Sequence, residues 1–350
     1  MSASRHDPER VIDLDLVRCT ENAALAAWKH FGKGDKNLAD FAASDALRGM
    51  FQLIDCRGVV RIGEGRKDDA PGIFAGEKLG SWRDGSIPAA IAVDPIDGTT
   101  LTARGLNGAI SVLALSTCDA PDGDPTSLFP AIPSHYMEKF AVGPKVADSD
   151  VRVQLDAPLE ANLSIIAGQL RKRVRDLVVV VLDRPRHETI IENIRNIGCR
   201  IRLISDGDVA AAIAPSLPNS GIDAYVGVGG SPEAVISAAA IKCLGGQQLC
   251  RMWPKDASER RQLLEAGCQE HDIGRVWTVE MMAPGNHVIF SATGISDSPM
   301  LRGIQYAGGH CVTHSVLMRA RNRTVRMIEA LHDLTRKTIR LYSTGQEMSL

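Results

Sequence analysis

From residue 8 to residue 31 apolar positions recur at intervals of three and four: Val11, Leu14, Val17, Ala24, Leu25 and Trp28. That spacing predicts an amphipathic helix with one buried face. Gly32 and Gly34 break it, and a second helical pattern resumes over residues 37–53. The period then shortens. GVVRIGEG is a short β-branched run ending in glycines, IPAAIAVDPIDGTT a second strand that runs into an acidic turn, and AISVLAL a third. Residues 118–133 are rich in Asp and Pro and predict an exposed loop. Periodicity is lost again over 148–161, which marks a domain boundary.

Beyond it strands and helices alternate. LVVVVLD, at 177–183, has the continuous apolar run of a strand buried on both faces. Helices are expected over 187–197 and 209–214, with strands at RIRLI and IDAYVGVG. SPEAVISAAAIKCLGG then predicts a long helix, with Ser231 as its N-cap, Pro232 at its first position and Gly245 as its stop. VIFSATG and THSVLMR read as later strands. The whole pattern predicts an α/β protein (α+β layered) in two domains, residues 1–155 and 156–350.

Composition narrows the partners. At 350 residues, 44% hydrophobic and 23% charged, the chain is of ordinary globular make-up. A formal charge of -2 leaves no electrostatic footprint for nucleic acid. No run of eighteen apolar residues predicts a membrane span. The opening MSASRHDPER is too charged for a secretory signal, so the cytoplasm is the expected location. The eight cysteines include no CxxC, and free buried thiols are expected rather than a zinc site or disulfides. The basic run Arg171 to Arg175 reads as a solvated helix face. Gly227-Val228-Gly229-Gly230 follows a strand, yet Pro232 stands where a dinucleotide fingerprint needs its last glycine.

Asp94-Pro95-Ile96-Asp97-Gly98-Thr99-Thr100 carries more chemistry than any other stretch. Two carboxylates end an apolar strand where alternation does not call for them. Pro95 favours a fixed turn, and Gly98 lets a ligand approach the backbone. Thr99 and Thr100 add hydroxyls at a place suited to a phosphate. Carboxylates beside a phosphate become attractive when a hard cation such as Mg2+ or Mn2+ lies between them. The plainer alternative is an ordinary Asp-Gly turn.

The D-P-I-D-G-T string resembles the signature of the lithium-sensitive, metal-dependent phosphatase superfamily. Gly32-Lys33-Gly34-Asp35-Lys36-Asn37 with Asp40, Ile62-Gly63-Glu64-Gly65 with Asp68, and Gly229-Gly230-Ser231-Pro232-Glu233 resemble elements of its class II fructose-1,6-bisphosphatases. Tyr136-Met137-Glu138-Lys139, Arg184-Pro185-Arg186-His187, Asp206-Gly207-Asp208-Val209-Ala210 and Ala292-Thr293-Gly294-Ile295 follow in the family's order. Departures from the pattern are Arg66, Arg184, Ser231 and Ala234.

The resemblance implies a two-domain α-β sandwich that hydrolyses the 1-phosphate of fructose 1,6-bisphosphate, with sedoheptulose 1,7-bisphosphate as a possible second substrate. It implies Asp40, Glu64, Asp94, Asp97 and Glu233 as ligands for Mg2+ or Mn2+, and Lys36, Asp68 and Thr99 as catalytic groups. Asp97, Gly98, Thr99, Tyr136, Arg184, Arg186, Asp206, Asp208 and Gly230 would bind substrate. Arg184 and Arg186 suit a second phosphate, although they could merely solvate a strand end. Homodimers or homotetramers, and a place in gluconeogenesis or carbon fixation, are what the family suggests. The alternatives are an inositol-phosphate or other sugar-phosphate phosphatase and a non-catalytic regulatory homologue.

Overall fold

The β-branched runs of the sequence assemble into two sheets, each layered with helices. A computed structural model describes residues 9–63, 65, 72–118 and 123–349. The chain opens with α1 (Glu9–Trp28), α2 (Lys36–Phe51), β1 (Cys56–Ile62), β2 (Lys78–Leu79) and β3 (Ile87–Asp97). Next come α3 (Thr99–Arg104), β4 (Ile110–Thr117), β5 (Tyr136–Val142), α4 (Pro144–Ala147) and α5 (Leu159–Leu170). An alternating stretch follows: β6 (Val178–Leu182), α6 (Glu188–Ile197), β7 (Arg200–Ile204), α7 (Asp208–Ile213), β8 (Ala224–Gly230) and α8 (Ser231–Leu244). After β9 (Gln247–Met252) lie α9 (Ala257–Glu265), α10 (Glu270–Gly274), β10 (Trp277–Thr278) and α11 (Val279–Met282). The chain closes with β11 (Val288–Gly294), β12 (Gln305–Ala307), β13 (His310–Arg319), β14 (Thr324–Asp333), β15 (Thr338–Arg340) and β16 (Glu347–Ser349).

The first unit comprises Met1–Phe129 and Gly285–Leu350, the second Pro130–Pro284. These units do not coincide with an uninterrupted division at 155/156. The chain returns at Gly285 because β11 adds to β4, and β13 to β11, extending the sheet begun by β1, β3 and β4.

That first sheet runs β12-β13-β11-β4-β3-β1-β2, with β14 on β13. Strands β1 and β3 are parallel, while β3, β4, β11, β13 and β14 alternate in direction. Helix α1 is buried on every side from Cys19 to Ala27, rather than along the single face that its apolar spacing predicts. Its polar residues are satisfied by distant strands: Thr20 meets Ser291 at 3.1 Å and accepts from Thr293 at 2.8 Å. Alanines on both helices let α2 lie close over it.

In the second unit the order is β10-β9-β5-β8-β6-β7. Strand β6 is parallel to both β7 and β8, and β5 is antiparallel to β8 and β9. The core gathers Val179 and Val181 of β6, Leu163 and Ile166 of α5, and Ile191 and Ile194 of α6. Two local expectations change. Gly230, not Ser231, is the N-cap of α8, because the Ser231 hydroxyl donates to the Ser134 carbonyl instead. Arg171 ends α5 with φ +54°, and the basic run continues as a turn in which Lys172 pairs with Asp223 and Arg173 with Asp176, both at 2.6 Å. It is therefore not a helix face. All eight thiols are free. Among the described residues no helix is long and apolar enough to cross a membrane.

Candidate active site

In the first unit the sequence-predicted residues converge on the carboxyl end of β3. Asp94 pairs with Val112 of β4 and Asp97 with Ile110, so three steps along β3 match two along β4. Side chains three apart on a regular strand point to opposite faces. The extra residue makes a β-bulge and turns Asp97 back, so both carboxylates share one face. Pro95 has no N–H to lose at the irregularity, and Ile96 N–H donates to Asp94 Oδ1 at 3.0 Å, pinning the turn. Both aspartates are almost wholly buried.

Gly98 then takes φ +98°, which L side chains rarely adopt, and reverses the chain into α3. Thr99 donates its hydroxyl proton to the Ile96 carbonyl at 3.2 Å. Helix α2 delivers the partner group. Asp35 caps it by accepting from Leu38 N–H at 2.9 Å, and Lys36 at its first turn donates to Thr100 Oγ1, also at 2.9 Å. Asp40 lies four residues on, hence on the same helix face as Lys36. The structure thus brings Lys36 to the acidic turn, although the two lie 64 positions apart in sequence.

The donor set has the chemistry of a hard-cation site. Asp40, Asp94 and Asp97 offer carboxylate oxygens alone, the ligands that divalent cations of this class take. Asp40 is 9% exposed, and its Oδ1 is buried with no hydrogen-bond partner among the described residues. An orphaned buried oxygen costs about 1–3 kcal/mol, more for a charged group, and a bound cation would relieve it. The chemistry of these donors suits such an ion. Among the described residues no three His, Cys, Asp or Glu side chains close into a ligand cluster. Glu64 and Asp68, expected as ligand and catalytic group, lie outside the described residues.

In the second unit the expected substrate residues follow the carboxyl ends of parallel strands: Arg184 and Arg186 after β6, Asp206 and Asp208 after β7, and Gly230 at the end of β8; Glu233, expected as a metal ligand, lies in the first turn of α8. Tyr136 opens β5 and pairs with Gly230. Open α/β sheets bind ligands at this edge. The Arg186 guanidinium donates from Nε and Nη2 to the Val228 carbonyl, at 3.2 and 2.8 Å, and stands 5.1 Å over the Tyr136 ring.

His187, which no motif assigns a role, locks this turn. It is fully buried, with Nδ1 2.7 Å from the Leu182 carbonyl and Nε2 accepting Val228 N–H at 2.7 Å. An amide only donates, so Nε2 keeps its lone pair and the proton sits on Nδ1. Burial holds the imidazole pKa below the usual histidine range.

Beneath Gly229, Lys139 Nζ meets Asp208 Oδ2 at 2.7 Å. A Cβ on Gly229 would fall 1.8 Å from that oxygen and 2.9 Å from the ammonium. The glycines of β8 thus serve side chains pressed against the strand, not a dinucleotide. Period-2 reading of β5 signals Lys139, since it shares the strand face of the buried Met137 and Ala141 and needs a buried anion there.

Comparison with known proteins adds the family. The sequence model described as bacterial fructose-1,6-bisphosphatase, glpX-encoded, matches residues 10–332. A D-fructose 1,6-bisphosphatase class 2/sedoheptulose 1,7-bisphosphatase from Synechococcus sp. (strain JA-3-3Ab) is 38% identical over 343 residues, covering 92% of this chain and 95% of that protein. The fructose-1,6-bisphosphatase 1 class 2 of Escherichia coli (strain K12) is 40% identical over 338 residues, covering 94% and 97%.

Proposed function

The chain belongs to the bacterial class II fructose-1,6-bisphosphatase family, and from that membership we infer that it hydrolyses fructose 1,6-bisphosphate to fructose 6-phosphate and inorganic phosphate. The observation that carries this reading to particular atoms is the end of β3. There two carboxylates on one face, a threonine hydroxyl and the Lys36 ammonium meet around a bulged turn.

Hydrolysis forms a bond between water oxygen and phosphorus, breaks the ester P–O bond, and returns a proton to the sugar alkoxide. Mg2+ or Mn2+, held by Asp40, Glu64, Asp94, Asp97 and Glu233, would acidify the water and neutralise phosphoryl charge. The chain's own groups do the rest. Thr99 spends its proton on the Ile96 carbonyl, so its lone pairs remain to accept from the attacking water and aim it. Asp68 is assigned as the acidic partner that takes the water's proton. Lys36, anchored on Thr100, presents an ammonium to the developing charge on the phosphate.

Arg184 and Arg186 hold the distal phosphate. Arg186 uses only one edge of its fork on Val228, leaving donors for an anion. Tyr136, Asp206, Asp208 and Gly230 contact the sugar, and the backbone at Asp97, Gly98 and Thr99 receives the reacting phosphate. Sedoheptulose 1,7-bisphosphate, one carbon longer, is a second substrate on this reading, because the Synechococcus relative carries both activities in its name. The reading makes the enzyme cytoplasmic and a homodimer or homotetramer; the exposed apolar positions Val325, Met327 and Leu331 along strand β14 support self-association.

Phosphate release from each bisphosphate, with Mg2+ and with Mn2+, tests the proposal. Release from neither substrate by folded protein would end it, and release from inositol phosphates instead would move the protein to the neighbouring branch of the superfamily.

A further inference from the structure

We propose that Lys139, which no sequence motif required for the chemistry, is a positioning residue: it fixes Asp208 in its substrate-ready orientation. The inference rests on the role given above to Asp208.

Lys139 is the largest charged side chain with essentially no exposure, at 1%. An ammonium so placed is costly unless it is paired. Its partners converge from three elements. Asp208 of α7 takes it at 2.7 Å, Glu233 of α8 acts on it through space, and Cys250 of β9 lies beside it. Burial disfavours the ammonium, and the 2.7 Å pairing with Asp208 offsets that cost. Cys250 does not compete, because burial pushes its thiol to about 12. Lys139 is therefore the cation against which Asp208 of the proposed site is set.

The geometry is specific about which atom is held. Asp208 Oδ2 receives both the Lys139 ammonium and, at 3.4 Å, the Tyr225 hydroxyl. With Oδ2 engaged on the protein side, Oδ1 is the oxygen left to face a sugar hydroxyl. The approach is possible only because β8 ends in glycines: a Cβ on Gly229 would overlap Asp208, and one on Gly230 would lie 1.9 Å from Glu233 Oε2. Helices α7 and α8 thus lay their carboxylates against bare backbone, with Lys139 under it.

The test is steady-state kinetics of Lys139→Met beside wild type, reading KM for fructose 1,6-bisphosphate and kcat. Loss of a buried, charge-assisted bond predicts KM raised about 10- to 100-fold, with kcat at saturation falling less than KM rises. A purely structural lysine would lower the melting temperature and leave both constants within twofold of wild type, which would overturn the inference. If Lys139→Met does not fold, Tyr225→Phe removes the second donor to Asp208 Oδ2 and keeps the charge pair. It should raise KM about two- to fivefold, and an unchanged KM would overturn the inference equally. A wild-type protein without bisphosphatase activity would refute the proposed function itself, and the inference with it.

Discussion

Replacing Gly98 by alanine separates backbone strain from close approach at the turn that matters most. The residue sits at φ +98°, where an L side chain costs about 1–2 kcal/mol. Its new Cβ would stand 3.1 Å from Leu101 Cδ1 and 3.3 Å from Ala109 Cα. Leu101 can shift, but Ala109 cannot. Its carbonyl accepts Ile295 and Ser296 N–H at 3.0 Å each, and its own N–H donates to Ser296 Oγ, also at 3.0 Å. One unyielding methyl contact adds about 1–2 kcal/mol, for a total of about 2–4 kcal/mol. Gly85 is the control, since it has φ +82° and nothing within 4 Å of its would-be Cβ. Gly85→Ala should cost only about 1 kcal/mol. Urea denaturation of both variants reads the difference, and phosphate release reads its consequence. A displaced Thr99 and Thr100 should cost about 100-fold in kcat for Gly98→Ala, with Gly85→Ala unaffected. Equal destabilisation of the two variants, or Gly98→Ala with wild-type kcat, would refute the reasoning.

Two other perturbations follow from the same geometry. Arg186→Ala should raise KM for the bisphosphate about tenfold or more with a smaller change in kcat, and Arg186→Lys should recover little, since an ammonium cannot grip both Val228 and a phosphate; substrate titration of initial rates checks both. Acid should loosen the fold through its buried imidazoles. His187 and His314 are held below the usual histidine range, and His332 is pushed by burial to about 4. These groups stay neutral in the folded chain while the unfolded chain takes up protons below about 6.5, so their stabilisation is complete above that pH and is lost as pH falls from about 6.5 toward 4. The melting temperature should drop between pH 7.5 and pH 5, and His332→Gln should narrow that drop; an identical pH dependence in the variant would contradict it.

What the sequence disclosed follows from where information is local. The strand β3, the apolar run of β6 and the helix α8 announce themselves within a dozen residues, and the structure puts each where its pattern does. The acidic turn was legible because two carboxylates at the end of an apolar strand conflict with simple packing. Non-local chemistry was hidden. Thr20 and Glu21 look like a solvated side of α1, and only β11 and β13, about 270 and 290 positions away, supply their partners. Ser231 has the local credentials of a cap, yet the Ser134 carbonyl outcompetes the helix for its hydroxyl. Strand β9, QQLCRM, has no alternation to mark it, because successive residues Gln248, Leu249 and Cys250 are all buried, so both of its faces are covered. Lys139 appeared in a motif without a task, since its anion lies 69 positions further on.

The most direct test of the central claim is phosphate release from fructose 1,6-bisphosphate by wild type and Asp94→Asn, each titrated with Mg2+ and Mn2+. The account predicts metal-dependent release by wild type and a loss of about 1,000-fold or more in the isosteric variant, with its fold retained by circular dichroism. Release by Asp94→Asn at the wild-type rate would contradict it, because the carboxylates at the end of β3 would then have no part in the reaction.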